Sequence, residues 1–159
     1  MPFNEEVTTY SAQDNLGYCL SRAALIMQTA VDEALIEIEL NRLSWTVLAC
    51  IRFDGVESPS KIAEFVGLER TTASRLITQL EKKGFVTRQP NDEDGRGHSV
   101  RPTPLGIEAC NKAPALIAAA TRPHLSDLSE NNVAELIHLL KKIGTGTVAK
   151  WKVSNAKKG

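Results

Sequence analysis

The 159-residue sequence predicts a mainly α fold: a winged helix-turn-helix with N- and C-terminal helices forming a dimerisation region, and a small two- to three-stranded wing. Three observations carry this. Ser58 to Arg88 (SPSKIAEFVGLERTTASRLITQLEKKGFVTR) reads as two short helices joined at a glycine corner and running into a strand. A second alternating stretch follows a polar loop, which makes a hairpin. Apolar residues recur at spacings of three and four through long segments on both sides.

Taken in order, the first ten residues (MPFNEEVTTY) show no sustained period and read as an arm. From Ser11, the set Leu16, Leu20, Ala23, Ala24, Met27, Ala30, Val31, Ala34, Leu35 and Ile38 predicts one long helix. Its apolar set is too wide for packing on one side, as in a helix that is both core wall and oligomer interface. Leu43 to Ile51 is a second helix, with Ser44 as N-cap and Trp45, Leu48 and Ala49 facing inward. A DG turn leads to a short strand at Gly55 to Glu57.

The next helix spans Ser60 to Phe65, with Ser58 or Ser60 as cap and Pro59 as initiator. Gly67 supplies the corner, because it takes positive φ without steric cost. The following helix runs from about Glu69 to Lys83 and stops at Gly84. Its stripe Ala73, Leu76, Ile77 and Leu80 is apolar. Its other side carries Arg70, Thr71, Ser74, Arg75 and Thr78, with Thr72 at the flank and no carboxylate from Arg70 to Thr78. Guanidinium groups fit guanine edges or phosphates, and short hydroxyls reach both. Such a face suits docking in the major groove of double-stranded DNA; the plain alternative is a solvated surface.

Phe85 to Gln89 and His98 to Arg101 are the hairpin strands, joined by the polar loop Pro90 to Gly97. Thr103-Pro104 opens a helix to about Thr121, which Pro114 should kink or divide. After a break, Ser129 or Asn131 caps a last helix with Leu136, Ile137, Leu139, Leu140 and Ile143 as its apolar set and Gly144 and Gly146 weakening its middle. Trp151 needs a covering surface, and the final SNAKKG reads as disordered. The division is residues 1–42, an arm and dimerisation helix; 43–103, the winged helix-turn-helix; and 104–159, helices completing the dimerisation region.

Nineteen basic residues balance nineteen acidic ones, so net charge points to no partner, but its distribution does. Residues 1–57 hold three basic against nine acidic (−6), residues 58–101 eight against six (+2), and residues 102–159 eight against four (+4). The middle approaches phosphate more easily than the N-terminal third. Three scattered cysteines, with no CxxC and no secretory start, suggest a reducing cytoplasm. No apolar run reaches the ~20 residues of a membrane span. The three histidines have no metal-ligand spacing, and no nucleophile elbow or phosphate loop is present. We therefore expect no enzyme, no metal, no cofactor and no membrane.

The segment IAEFVGLERTTASRLITQLEKKGFVTR resembles the helix-turn-helix of the MarR family of bacterial transcriptional regulators, including its LEKKGFVTR passage into the wing. Asp94-Gly95-Arg96, followed by Thr103 and Gly106, resembles that family's DxR wing signature and downstream LTxxG; Pro102 stands where the family usually has leucine. The resemblance covers residues 11–150. It implies a homodimer, most commonly a repressor, that reads a pseudo-palindromic operator and is released by a small aromatic or lipophilic effector. The DNA-binding set is Ser60, Arg70, Thr71, Thr72, Ser74, Arg75, Thr78, Arg88, Arg96 and His98. Arg96 would enter the minor groove and Asp94 would brace the wing, the wing-tip acids Asp92, Glu93 and Asp94 either pairing with Arg96, Arg75 or Arg88 or only keeping the loop soluble.

The resemblance also implies an effector pocket where the first, second and fifth helices meet the helix-turn-helix, with Tyr18, Arg22 and Trp45 as lining candidates. Trp45 is alternatively core, and Arg22 alternatively pairs with an acid across the dimer. One branch of the family senses organic hydroperoxides through a first-helix cysteine. Cys19 falls two residues past that position, on what reads as a core face, so packing is its expected role and oxidant sensing the alternative.

Overall fold

A computed structural model describes residues 11–90 and 98–143. Helix α1 (Leu16–Leu35) starts where Asn15 accepts the Tyr18 N–H at 3.2 Å. Ser11 instead caps a separate 3-10 turn, Ala12–Asp14, so the long helix begins five residues later than its period suggested. At the other end, Ile36–Ile38 tightens into a 3-10 turn. Glu39 then takes a left-handed conformation (φ 56), and the Leu40 N–H closes on the Leu35 carbonyl at 3.1 Å. A non-glycine residue held there carries strain of order 1 kcal/mol. Lys83 secures it, its Nζ donating to the Glu39 carbonyl at 2.7 Å.

Helix α2 (Arg42–Phe53) is capped by Asn41, whose side chain accepts from the Ser44 N–H at 2.9 Å. The expected cap, Ser44, is buried one turn inside. Val47, Leu48, Cys50 and Ile51 form the buried face, with Trp45 and Ala49 only half-buried. The expected strand at Gly55 to Glu57 does not form. The Val56 N–H turns back to the Cys50 carbonyl at 3.4 Å, and Glu57 meets the wing, its carbonyl accepting the Val100 N–H at 2.8 Å and its Oε1 3.3 Å from Arg101 Nε.

Helix α3 (Pro59–Val66) has Ser58 at its cap and Pro59 in its first turn. Gly67 turns the corner at φ 69, and the Leu68 N–H returns to the Ala63 carbonyl at 2.9 Å. Helix α4 (Arg70–Lys82) follows, burying Ala73, Leu76, Ile77 and Leu80, the four residues of its sequence stripe. The wing is a two-stranded antiparallel hairpin among the described residues: β1 (Val86–Pro90) and β2 (His98–Pro102), in register from Val86↔Pro102 to Pro90↔His98. Phe85 sits before β1, buried at the joint.

Helix α5 (Pro104–Thr121) is capped by Thr103 as expected and lies along α1. Pro114 does not divide it: the helix runs through the proline as one element. A short 3-10 turn, Arg122–Leu125, leads to α6 (Glu130–Lys142), which opens on a capping box between Ser129 and Asn132. Ile143 is extended, so α6 ends before the two glycines placed in its middle by its sequence pattern. Gly144, Gly146, Trp151 and the SNAKKG tail lie outside the described residues, as does the N-terminal arm.

One core joins these parts. Leu35, Leu48, Ile62, Ile77, Leu80, Val100 and Cys110 are wholly buried and contiguous, tying the end of α1 to α2, α4, the wing and α5. Each buried leucine or isoleucine contributes roughly 1.5–3 kcal/mol. Apolar side chains on the N- and C-terminal helices are left outside this core: Leu25 is 65 % exposed, Ile36 70 % and Leu139 50 %.

A candidate nucleic-acid interface on the recognition helix

The outer side of α4 forms a shallow groove lined by Arg70, Thr71, Ser74, Arg75, Thr78, Gln79 and Lys82. Five of these belong to the expected DNA-binding set, and Thr72 is half-buried at its flank. Gln79 and Lys82 were absent from that set, although each stands four residues beyond a member, on the same helix face. Arg70 and Arg75 have no ion-pair partner among the described residues, so both guanidinium groups are available. Ser60 is exposed at the start of α3, its hydroxyl 3.1 Å from that of Ser58, and His98 is exposed at the start of β2. Arg96 and Asp94 lie outside the described residues.

Arg88 is placed differently from the others. From β1 its Nη1 lies 2.8 Å from Glu81 Oε2 and its Nη2 donates to Thr78 Oγ1 at 2.9 Å. Thr78 in turn donates to the Ser74 carbonyl at 3.0 Å. The partner of Arg88 among the described residues is therefore a carboxylate of the recognition helix. The link fixes the wing strand against α4 and orients the Thr78 hydroxyl. We expect Arg88→Met and Glu81→Gln each to destabilise by about 0.5–1 kcal/mol, with a double variant less than additive, because the pair is partly exposed. Urea midpoints of the three variants provide the check.

The candidate effector residues do not converge. Arg22 Nη1 donates to the Tyr18 hydroxyl at 3.4 Å on an exposed part of α1. Trp45 packs edge-on against Phe53, with ring centroids 6.2 Å apart, and joins the core margin. None of the grooves described here, all formed by described residues, is lined by Tyr18, Arg22 or Trp45.

The cysteines also require correction. Cys19 is exposed, its Sγ donating to the Gln13 carbonyl at 3.0 Å, and so is not on a core face. Cys19 lies in the first turn of α1, which buries only Ala30 and Leu35, both further along the helix. Cys50 and Cys110 are buried. Burial pushes the Cys110 thiol up to about 11, with Arg52 opposing, and burial followed by the Asp54 charge raises Cys50. Both thiols therefore stay protonated near neutral pH. A thiol reagent at pH 8 should gain two sites per chain on unfolding, which a spectrophotometric count in and out of denaturant checks.

Among the described residues, no group of three or more His, Cys, Asp and Glu is placed to hold a metal ion, and no helix is long and apolar enough to cross a membrane. The two packed helices, the hairpin and the acid-free α4 face define a winged helix-turn-helix protein. Residues 40–98 match the MarR family model. The members of this family are transcription regulators.

Solved structures agree across most of the chain. It is similar to CouR from Rhodococcus jostii RHA1, whose structure holds p-coumaroyl-CoA, at 26% identity over 85% of this chain and 95% of that one (TM-score 0.74). It is similar to a MarR-family transcriptional regulator from Rhodococcus sp. RHA1 at 25% identity over 85% and 96% (TM-score 0.75). Wild-type MarR from E. coli in its apo form matches at 25% identity over 81% and 96% (TM-score 0.69).

Proposed function

We propose that this protein is a sequence-specific repressor that binds a pseudo-palindromic operator as a homodimer and leaves it when a small molecule binds. The observation that carries the reading is the recognition-helix groove, where Arg70 and Arg75 have no ion pair among the described residues and stand among short hydroxyls with no carboxylate between Arg70 and Thr78. Arg70, Thr71, Ser74 and Arg75 contact the major groove. Ser60 and His98 contact the backbone at its edges, and Arg96 reaches the minor groove from the wing tip. Arg88 acts through Thr78 and Glu81. No step of this function requires catalysis.

Dimerisation is supported by apolar surface left exposed on the described helices. Leu16, Leu25 and Ile26 on α1 and Leu136, Ile137, Leu139 and Leu140 on α6 are all exposed in the protomer. Exposed apolar residues recurring along two helices suit an interface. The double variant Leu136→Glu, Leu139→Glu is expected to run as a monomer in light scattering while the parent runs as a dimer.

The direct test of DNA recognition is selection from a random duplex pool, followed by gel shifts on the enriched sequence. We expect enrichment of an inverted repeat, with affinity falling steeply as salt rises because phosphate contacts release counterions. A pool that stays random after repeated selection rejects the reading. The oxidant-sensing alternative is favoured by one observation, the exposure of Cys19. If peroxide releases DNA from a Cys19→Ser variant as readily as from the parent, Cys19 is not the switch.

A further inference from the structure

A second groove, of 750 Å³, lies beside the DNA face and shares two residues with it. Its walls are the end of α1, the start of α2 and the inner edge of α4, and Arg75 and Gln79 line both grooves. Ile36 and Leu43 supply apolar surface over a floor of buried Leu40 and Leu76, and Asp32 and Glu33 supply acids. The charges are not equivalent. Asp32 is committed to Arg42: its Oδ1 accepts the Arg42 N–H at 2.6 Å and its Oδ2 lies 3.9 Å from Arg42 Nε. Glu33 and Arg75 have no ion-pair partner among the described residues. The groove thus offers Glu33 and Arg75 beside an apolar surface, with Arg42, held 3.9 Å from Asp32, as a further cation in its lining.

One helix end reinforces that polarity. The acid side is the last turn of α1, where the helix dipole is negative and favours a cation. The far side carries Arg75; the first turn of α2 beside it is already met by Asp32 and Asn41, which accept the Arg42 and Ser44 N–H groups. A simple carboxylate would meet Glu33 uncompensated, and a simple amine would meet Arg75. A molecule bearing both charges satisfies both. The volume lies in the range of small-molecule sites.

We propose that this groove binds a small zwitterion, an amino acid or related amino-carboxylic acid with an apolar side chain. Its ammonium sits against Glu33, its side chain on Ile36 and Leu43, and its carboxylate on Arg75. Because Arg75 also lines the DNA face, the ligand withdraws a guanidinium from the operator. This coupling rests on the reading of Arg75 as a DNA contact, whereas the binding itself does not.

Titration calorimetry of the full chain without DNA tests the site, with L-phenylalanine as probe and phenylpropionate and phenethylamine as its single-charge counterparts. Phenylalanine is expected to bind, and both counterparts at least about tenfold more weakly, the scale of one lost hydrogen bond to a charged group. Glu33→Gln, a change at an exposed position, should weaken phenylalanine by a similar factor and leave DNA affinity as in the parent. Added phenylalanine should then lower DNA affinity in the parent and not in Glu33→Gln. Equal binding of all three probes, no binding of any, or a Glu33→Gln variant that binds phenylalanine as the parent does would overturn the site. The expected calorimetry in a chain that never engages DNA would uphold the site and overturn the DNA reading alone.

Discussion

Replacing Gly106 with alanine is expected to destabilise the protein by about 3 kcal/mol or more, at the upper end of what overpacking costs. A Cβ built at Gly106 would stand 2.0 Å from the Phe85 carbonyl oxygen and 3.0 Å from its carbon. That oxygen belongs to backbone and cannot swing aside as a side chain does. It is also held from another direction, accepting the Thr103 N–H at 3.0 Å. Thr103 Oγ1 closes the joint by donating to the Gly84 carbonyl and accepting the Gly106 N–H at 3.1 Å.

The first turn of α5 is thereby bonded to the exit of α4 at the point where the chain enters the wing. An added methyl must push α5 off that joint or break its hydrogen bonds. The readout is thermal: about 2–4 °C per kcal/mol for a chain of this size gives a fall in melting temperature of roughly 10 °C. Thr103→Ala should cost less, about 1 kcal/mol, because it removes a cap without forcing a collision. A Gly106→Ala chain that melts with the parent would show that the joint yields at little cost.

The second large effect is on DNA. Arg75→Ala is expected to weaken binding to a selected operator by about 10- to 100-fold, the range of one good guanidinium–base contact, and to relax base choice at one position of each half-site. Stability should hardly change, since Arg75 is exposed and has no ion pair among the described residues to lose. Arg75→Lys should recover only part of the affinity, because an ammonium cannot present the paired donors of a guanidinium. Comparing the three proteins by gel shift on the operator and its single-base variants separates a base contact from a phosphate contact. A uniform loss across all sequences would move Arg75 from the base edges to the backbone.

The helix-turn-helix was the most legible part of the chain because its information is local. The stripe Ala73, Leu76, Ile77 and Leu80 is buried as its period implied, and Gly67 takes the positive φ that its corner required. Thr103 and Pro104 start α5 for the same kind of reason, a cap and a fixed φ within two residues. Legibility fell where a local pattern competed with a partner far along the chain. Ser44 has a capping side chain, but Asn41 caps the helix and Ser44 is drawn into the core. Gly55 to Glu57 have a strand's place in the order, but the Val56 N–H is already taken by the end of α2.

The candidate site divides in the same way. The composition of the α4 face was readable because residues on one helix face repeat with its period. The availability of each group was not. Arg70, Arg75 and Arg88 look alike as letters, yet Arg88 is tied to Glu81 and Thr78 while the other two have no such partner among the described residues. Nor did the sequence disclose that Gly106 lies against the Phe85 carbonyl, or that Arg75 borders two grooves. By itself the sequence determined the helix-turn-helix, the wing strands and the acid-free recognition face, because periodicity, capping and turn chemistry act over a few residues. Only the tertiary structure decided which charges are free and where backbones touch, because those depend on distances between segments that the chain order leaves open.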